Sequence, residues 1–408
     1  MRFLNFIVDG AREMFRGSVV YWGWLAMLAM LTIFGTVYYV IQLRSGLIVT
    51  GMSDQVSWGF YIANFAFLVG IAAAAVLLVI PAYLFARQDM RGVVIIGEAM
   101  AVATVVIAML FVIVDLGRPD RMLHLLPLIG RFNFPMSMLA WDVVVLFGYL
   151  ALNLAIPCYV LFMHYQNREP VWRYHLPVLV VTMFWAISIH TVTAFLFSAN
   201  PARPLWHTAI LGPRFIASAF ASGPAIFILT LAVIRRSVQF PVREGVVDTL
   251  ALIMAIAMQV NLFLVGAELF TDFYNEGTSG ESLRYLYLGM QGAQGLKAWI
   301  WTALIMDTGA VVILMINPLR KAPAALNIAC VLTLSGVWIE KGIGLIVPGF
   351  IPTTLGEVFE YTPTWLEINV SIGIWAFGAL LFTLLAKPAV AIESGRLRLE
   401  QRRSISSS

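Results

Sequence analysis

Residues 92–115 read GVVIIGEAMAVATVVIAMLFVIVD. Over these 24 residues the ionisable side chains are Glu98 and Asp115 alone. A helix of that length rises about 36 Å, which crosses a hydrocarbon core about 30 Å thick. The stretch therefore predicts a transmembrane helix, and the rest of the chain repeats its pattern. Working outward, apolar runs of spanning length fall at 19–43, 56–86, 92–115, 135–163, 174–198, 212–234, 245–271, 296–316, 323–347 and 366–386. Of the 408 residues, 61% are hydrophobic and 12% charged, about half the charge of a soluble domain. The longest gap between apolar runs, about 20 residues, leaves no room for a soluble catalytic domain. A net charge of +4 spread over such a chain makes no nucleic-acid surface. The fold expected is an all-α integral membrane protein of about ten transmembrane helices, forming a single polytopic domain over 1–408.

Ten spans put both termini on one side. Of the 26 Lys and Arg residues, 17 fall on that side, Arg87, Arg91, Arg402 and Arg403 among them, and nine on the other. The excess predicts cytoplasmic termini in a cytoplasmic (inner) membrane. Residues 1–18 have no cleavage site before the first apolar run and read as an interfacial segment. Residues 387–408 read as a cytoplasmic tail. The outer loops then lie around 118–134, 200–214, 271–294 and 348–366.

Ionisable residues inside spans are costly in hydrocarbon and mark candidate sites. Asp115 ends the third span and Asp142 lies near the start of the fourth. His190 and Glu268 lie in the last thirds of the fifth and seventh, Lys297 opens the eighth, and Glu340 and Lys341 come late in the ninth. Asn64 belongs to the outer half of the second. Alternating helix direction brings all of these toward the outer face. The competing reading is that each is an interfacial or paired residue, with Glu340 and Lys341 as a mutual pair. Two acids lie deeper: Asp307 about 15 Å into the eighth span, and Glu98 about 9 Å from the cytoplasmic end of the third. They are candidate steps of a proton path, or neutral carboxyls hydrogen-bonded to neighbouring helices.

Cys158 and Cys330 lie in apolar runs without a CxxC companion, so no iron–sulfur or metal site is expected. A b-type haem needs two facing histidines, yet of the five only His190 is well inside a span; His164 and His175 flank a cytoplasmic loop, and His124 and His207 belong to outer loops. A redox role would then fall on a diffusible carrier. Quinone suits these residues, because its carbonyls need a donor or protonatable carboxyl and its ring and tail need an apolar slot. A secondary transporter instead favours midplane charges at broken spans.

Several stretches, in order, carry a resemblance: WGFYIANFAFLVGIAAAA from Trp58, DLGRPDR from Asp115, and FPMSMLAWDV ending at Val143. SIHTVTAFLFSANPARPLWHTAILGPRF, from Ser188 to Phe215, continues it. Together they resemble the NrfD/PsrC family of membrane subunits of quinone-linked oxidoreductases. AELFTDFY (from Ala267), YLYLGMQG (from Tyr285) and WIEKGIGLIVPGFIPTTLGEVFEYTPTW (from Trp338) are similar to its ten-span DsrP branch. The resemblance implies two four-helix bundles, spans two to five and six to nine, with one extra helix at each end. It implies quinone or quinol (menaquinone or ubiquinone) bound near the periplasmic face and electron exchange with a periplasmic ferredoxin-like iron–sulfur subunit. In the DsrP branch the further partners are a multihaem cytochrome c, a cytochrome b-type membrane subunit and a cytoplasmic iron–sulfur subunit.

By position, the resemblance places Asp115 where related subunits of the alternative complex III group have a quinone-site histidine, and keeps the aspartate of the Trp-Asp motif as Asp142. With His190 and Glu268, chosen by depth, these outline an expected quinone pocket, with Asn64 nearby. Asp142 would be the proton-accepting acid, His190 its partner donor and Arg118 a loop-fixing cation. Where the polysulfide-reductase branch has a quinone-contacting asparagine and histidine, the positions here match Ile62 and Phe65. The alternatives carried forward are a non-redox membrane anchor of the same complex and a secondary transporter.

Overall fold

The computed structural model describes residues 2–72, 74–79, 82, 88–125, 128–238, 240, 242–275 and 277–399. The end of the second predicted span, the cations Arg87, Arg402 and Arg403 and the end of the 387–408 tail lie outside the described residues.

The chain opens with α1 (Arg2–Met14), then α2 (Val19–Ser45), α3 (Phe60–Ala72), α4 (Ala74–Val79) and α5 (Gln88–Asp115). Next come α6 (Met138–Tyr165), α7 (Trp172–Ser198), α8 (Leu211–Val238) and α9 (Glu244–Asn275). After the short α10 (Thr278–Leu288) follow α11 (Lys297–Met315), α12 (Asn317–Lys321) and α13 (Pro323–Val337). A π-helical turn (Trp338–Ile343), α14 (Gly344–Ile346) and α15 (Trp365–Glu393) complete the order. No strand occurs among the described residues. Among the described residues nine helical segments are long and apolar enough to cross a membrane, so the chain is a multi-pass, all-α membrane protein.

The remaining predicted span, 56–86, is helical from Phe60 over the residues described there, Phe60–Ala72 (α3) and Ala74–Val79 (α4). Every residue of α3 from Tyr61 to Ala72 is buried, which is how a helix apolar on all sides is accommodated: in the interior. Around it, α3 to α7 form one bundle; α8, α9, α11 and α13 with its π turn form the second. α3 also packs on α8 and the π turn, joining the two.

The first and last long helices lie outside these bundles and against each other. Trp24 Nε1 donates to Thr383 Oγ1 (3.2 Å), while at the other end Gly51 N donates to Glu367 Oε2 (2.7 Å), so α2 and α15 run antiparallel. They cross at Gly35 and Gly373, where a Cβ on Gly35 would stand 2.5 Å from Gly373 Cα and 2.9 Å from the Asn369 carbonyl. Glycine at both positions allows the backbones that approach. Thr364 caps α15 through a reciprocal capping box with Glu367. α1 is amphipathic and packs Phe6 beside Tyr165 and Ile392, so α1 and the end of α15 meet at one face. We call this the terminal face.

Candidate functional site: buried charges beside a tryptophan groove

Three buried polar groups take up the residues expected in one quinone pocket, and they do not share hydrogen bonds. The largest is built by Arg214 in the first turn of α8. Its guanidinium donates through Nη1 to Glu268 of α9 and through Nη2 to Glu340 of the π turn. Asn261, two turns before Glu268 on the same face of α9, donates to Glu340 Oε2 at 3.3 Å. The side chains of Arg214, Glu268 and Glu340 are 11%, 6% and 1% exposed, so the ion pairs are screened little by solvent. Lys341 does not pair with Glu340, as the sequence allowed. Consecutive residues on a helix diverge, and Lys341 turns instead to the Phe215 carbonyl (3.4 Å) and the Phe215 ring, 4.0 Å from its centroid. Two acids and two bases leave the cluster formally neutral, which makes such burial tolerable.

The π turn is what delivers both residues inward, since one extra residue per turn re-aims the side chains that follow. From outside the spans, Tyr287 of α10 covers the cluster. Burial raises its phenol above the ordinary range; the Arg214 guanidinium pulls it down, and Glu340, Glu268 and Asp307 push it up again. Asp307 is fully buried on α11, and neither of its carboxyl oxygens has a hydrogen-bond partner among the described residues. It packs against the bare backbone of Gly336 on α13, where a Cβ would stand 2.7 Å from its Cγ.

The second group joins the extra helices to the first bundle. Tyr61 donates to Gln42 Oε1 (2.6 Å), and Gln42 donates to the Val114 carbonyl (2.6 Å), one residue before Asp115. Tyr361 donates to Glu367 Oε1 (2.6 Å) and accepts from Phe60 N (2.8 Å). Burial, then the neighbouring Glu367 charge, keeps the Tyr361 phenol protonated well above its usual range, which suits it as a donor. Asp115 Oδ1 is buried without a hydrogen-bond partner among the described residues, with Glu367 of α15 as a neighbouring charge.

The third group is Asp142, buried on α6, which accepts from Thr193 Oγ1 of α7 at 2.7 Å. His190, on the preceding turn of α7, donates from Nδ1 to the Ala186 carbonyl (2.7 Å). Its Nε2 is buried without a partner among the described residues, and its ring lies beside Val69 and Gly70 and is coupled to Lys341. Of the expected residues, then, His190 neighbours the Arg214 cluster, Asp142 of α6 bonds Thr193 one turn along α7 from His190, and Asp115 lies at the end of α5.

Asn64, expected near the quinone site, bonds two indoles. Its Oδ1 accepts from both Trp338 Nε1 (3.1 Å) and Trp375 Nε1 (3.0 Å), and its Nδ2 donates to the Phe60 carbonyl (2.8 Å). It thereby fixes two walls of a groove of about 440 Å³ between α3, α8, α11, α13 and α15. Trp299, Phe67 and Ile226 line it further, and Ser335 supplies a hydroxyl. Met306 and Ile339, also in the lining, are the chain neighbours of Asp307 and Glu340. Arg118 bonds Asp120 through Nε (3.1 Å) and Nη2 (3.0 Å) on an exposed turn, and that pairing lowers the Asp120 carboxyl. Glu98 is buried on α5 and coupled to Glu393 of α15. Among the described residues no three His, Cys, Asp or Glu side chains are placed to hold a metal ion.

The signal for Arg214 was present in the sequence as an arginine at the mouth of an apolar run, in GPRF. The partners of Trp338, Trp375 and Tyr361 leave no such mark, because each is fixed by a residue 274 to 311 positions away.

The family model described as polysulphide reductase, NrfD, matches residues 48–352. The chain is 27% identical to a Halobacterium salinarum protein assigned as a membrane subunit of dimethyl sulfoxide reductase, over 88% of this chain and 89% of that one. It is 25% identical to the Hdr-like menaquinol oxidoreductase integral membrane subunit of Archaeoglobus fulgidus, over 91% and 96%. A polysulfide reductase polypeptide of Wolinella succinogenes is 29% identical over 42% of this chain and 56% of its own length.

Proposed function

The chain belongs to the NrfD polysulphide reductase family, and from that premise we propose that it is the quinone-binding membrane subunit of a multi-subunit oxidoreductase. It exchanges electrons between quinone or quinol and an iron–sulfur subunit docked on the face opposite the termini. The relatives support the class of complex, since one is named for menaquinol and the others for reductases of dimethyl sulfoxide and polysulfide. The observation that carries the reading is the groove: an apolar, tryptophan-walled slot open at the side of the bundles, whose lining residues Met306 and Ile339 precede the buried acids Asp307 and Glu340 in the chain. Its size and lining fit a flat ring and isoprenoid tail, for which slots of roughly 300–1,000 Å³ with few polar groups are usual.

Reduction of a quinone takes up two electrons and two protons, and quinol oxidation returns them. The electrons pass to or from the partner subunit. On the side of this chain, Ser335 offers a hydroxyl hydrogen bond to a carbonyl in the groove, and Asn64 holds the two indoles that shape it. Asp142 is the proposed proton-accepting acid of the outer half, with His190 as its donor partner. Asp307 and Glu98 are the proposed deeper steps of a proton path. Glu268, paired with Arg214, holds α9 against α8, Asp115 is the proposed quinone-site acid at the outer end of α5, and Arg118 fixes its turn.

The finer assignment follows the DsrP branch: a periplasmic ferredoxin-like subunit, a multihaem cytochrome c, a cytochrome b-type membrane subunit and a cytoplasmic iron–sulfur subunit. The 17 to 9 distribution of cations supports cytoplasmic termini in an inner membrane. Quinol turnover by the purified complex tests the reading. Asp142→Ala should lower the rate by about a hundredfold, the scale of a lost general acid or base. Unaltered turnover in an assembled complex would instead favour a non-redox anchor.

A further inference from the structure

The fold places a second ionisable pair at the opposite end of the molecule from the Arg214 cluster. His164, in the last turn of α6, and Glu393, the last residue of α15, meet with Nδ1 2.7 Å from Oε1. Their side chains are 26% and 12% exposed, so the pair is reached from water at the terminal face while most of it is covered. Behind it Ile95 of α5 packs with Val160 of α6 and Ala389 of α15, and one turn further along α5 lies Glu98, 5% exposed, with Glu393 as a neighbouring charge.

Polar groups continue inward from there. Tyr149, fully buried and coupled to Glu98, donates to the Ala72 carbonyl at 2.9 Å, with Asn153 donating to the Tyr149 carbonyl at 2.9 Å. Ala72 ends α3. Half a turn back on α3, Gly70 leaves room for the Lys341 ammonium, 3.2 Å from where its Cβ would stand, and for the Ser222 hydroxyl at 3.4 Å. The series therefore leads from the terminal face to the base of the Arg214 cluster.

We propose that His164 and Glu393 form a proton port at the terminal face, exchanging protons between bulk water and the buried carboxyl of Glu98. In the inward sense, the imidazolium of His164 gives its proton to the Glu393 carboxylate, and Glu393 passes a proton to Glu98; outward transfer reverses both steps. The charged groups around His164 are Glu393 on α15, Glu169 after α6 and Arg398 beyond α15. Arg398 is itself turned to Asn167 (2.6 Å), and Asp9 of α1 accepts from the neighbouring Tyr165 (2.6 Å). Glu393 lies outside residues 48–352, so the port depends on a helix beyond the part of the chain that the family model matches. It extends the proposed function by giving its proton path an end, yet its test needs no quinol turnover.

The full chain in lipid nanodiscs is transferred to deuterated buffer, and exchange of the Glu98 carboxyl is followed by infrared spectroscopy, its band identified by loss in Glu98→Gln. Exchange should slow by about tenfold or more in both Glu393→Gln and His164→Gln, and Glu393→Asp should retain it. A pair that merely pins α15 to α6 would give the opposite sign, because its loss would open the interior and speed exchange. Faster or unchanged exchange in both variants overturns the port, as does a wild-type Glu98 carboxyl that does not exchange. Absent quinol turnover in the wild-type complex would count against the proposed function alone.

Discussion

Replacing Arg214 by methionine removes the centre of the buried cluster and leaves Glu268 and Glu340 facing each other with Lys341 as the remaining base. Arg214 makes two charge-assisted hydrogen bonds, each worth about 1.5–3 kcal/mol, from a site where all three partners are nearly solvent-free. Their loss, together with one uncompensated buried carboxylate, should cost about 3–5 kcal/mol. The formal charge shows how to offset it. Adding Glu268→Gln restores neutrality, with Glu340 and Lys341 left as one acid and one base. The double variant should therefore recover part of the loss, a coupling of about 1–3 kcal/mol. Equilibrium unfolding in mixed micelles titrated with dodecyl sulfate, followed by tryptophan fluorescence, measures both values. An Arg214→Met change within about 0.5 kcal/mol of wild type, or strictly additive losses in the double variant, would refute the charge-balance argument.

Two other outcomes follow from close contacts and shared acceptors. Gly35→Ala should destabilise the protein by about 1–3 kcal/mol, because the new methyl meets the Gly373 backbone, which cannot rotate away. Gly23→Ala on the same helix meets nothing within 4 Å and should gain up to about 1 kcal/mol, so thermal midpoints of the pair in detergent separate packing from propensity. Glu367→Gln turns one of two acceptor oxygens into a donor facing Tyr361 or the backbone N–H groups of Gly51 and Thr364. That mismatch should lower stability by about 1–3 kcal/mol and speed amide exchange at Gly51.

How much of this could be read from the sequence depends on what each feature rests on. A span such as 92–115 is set by local hydropathy, so its helix appears at Gln88–Asp115 with little displacement. The second span is apolar on all sides, and in the structure α3 is enclosed by protein, a burial that hydropathy alone does not separate from exposure to lipid. The depth of Asp142, His190 and Glu268 followed from helical rise, whereas their partners did not. Glu268 meets Arg214 across 54 residues, and Arg214 meets Glu340 across 126, through packing that no local pattern encodes. Asn64 illustrates the same limit: a polar residue at the right depth, it serves two indoles from distant helices. The π turn at Trp338–Ile343 likewise has no local sequence signal, yet it decides which way Glu340 and Lys341 point.

The central claim is that quinone binds on this chain in the groove walled by Trp338 and Trp375. A photoreactive quinone, cross-linked to the purified complex and located by peptide mapping, tests it most directly. Labelling is expected on the segments that carry Trp338 and Trp375, suppressed by excess quinol. Label confined to other subunits, or label on these helices that quinol does not displace, would contradict it.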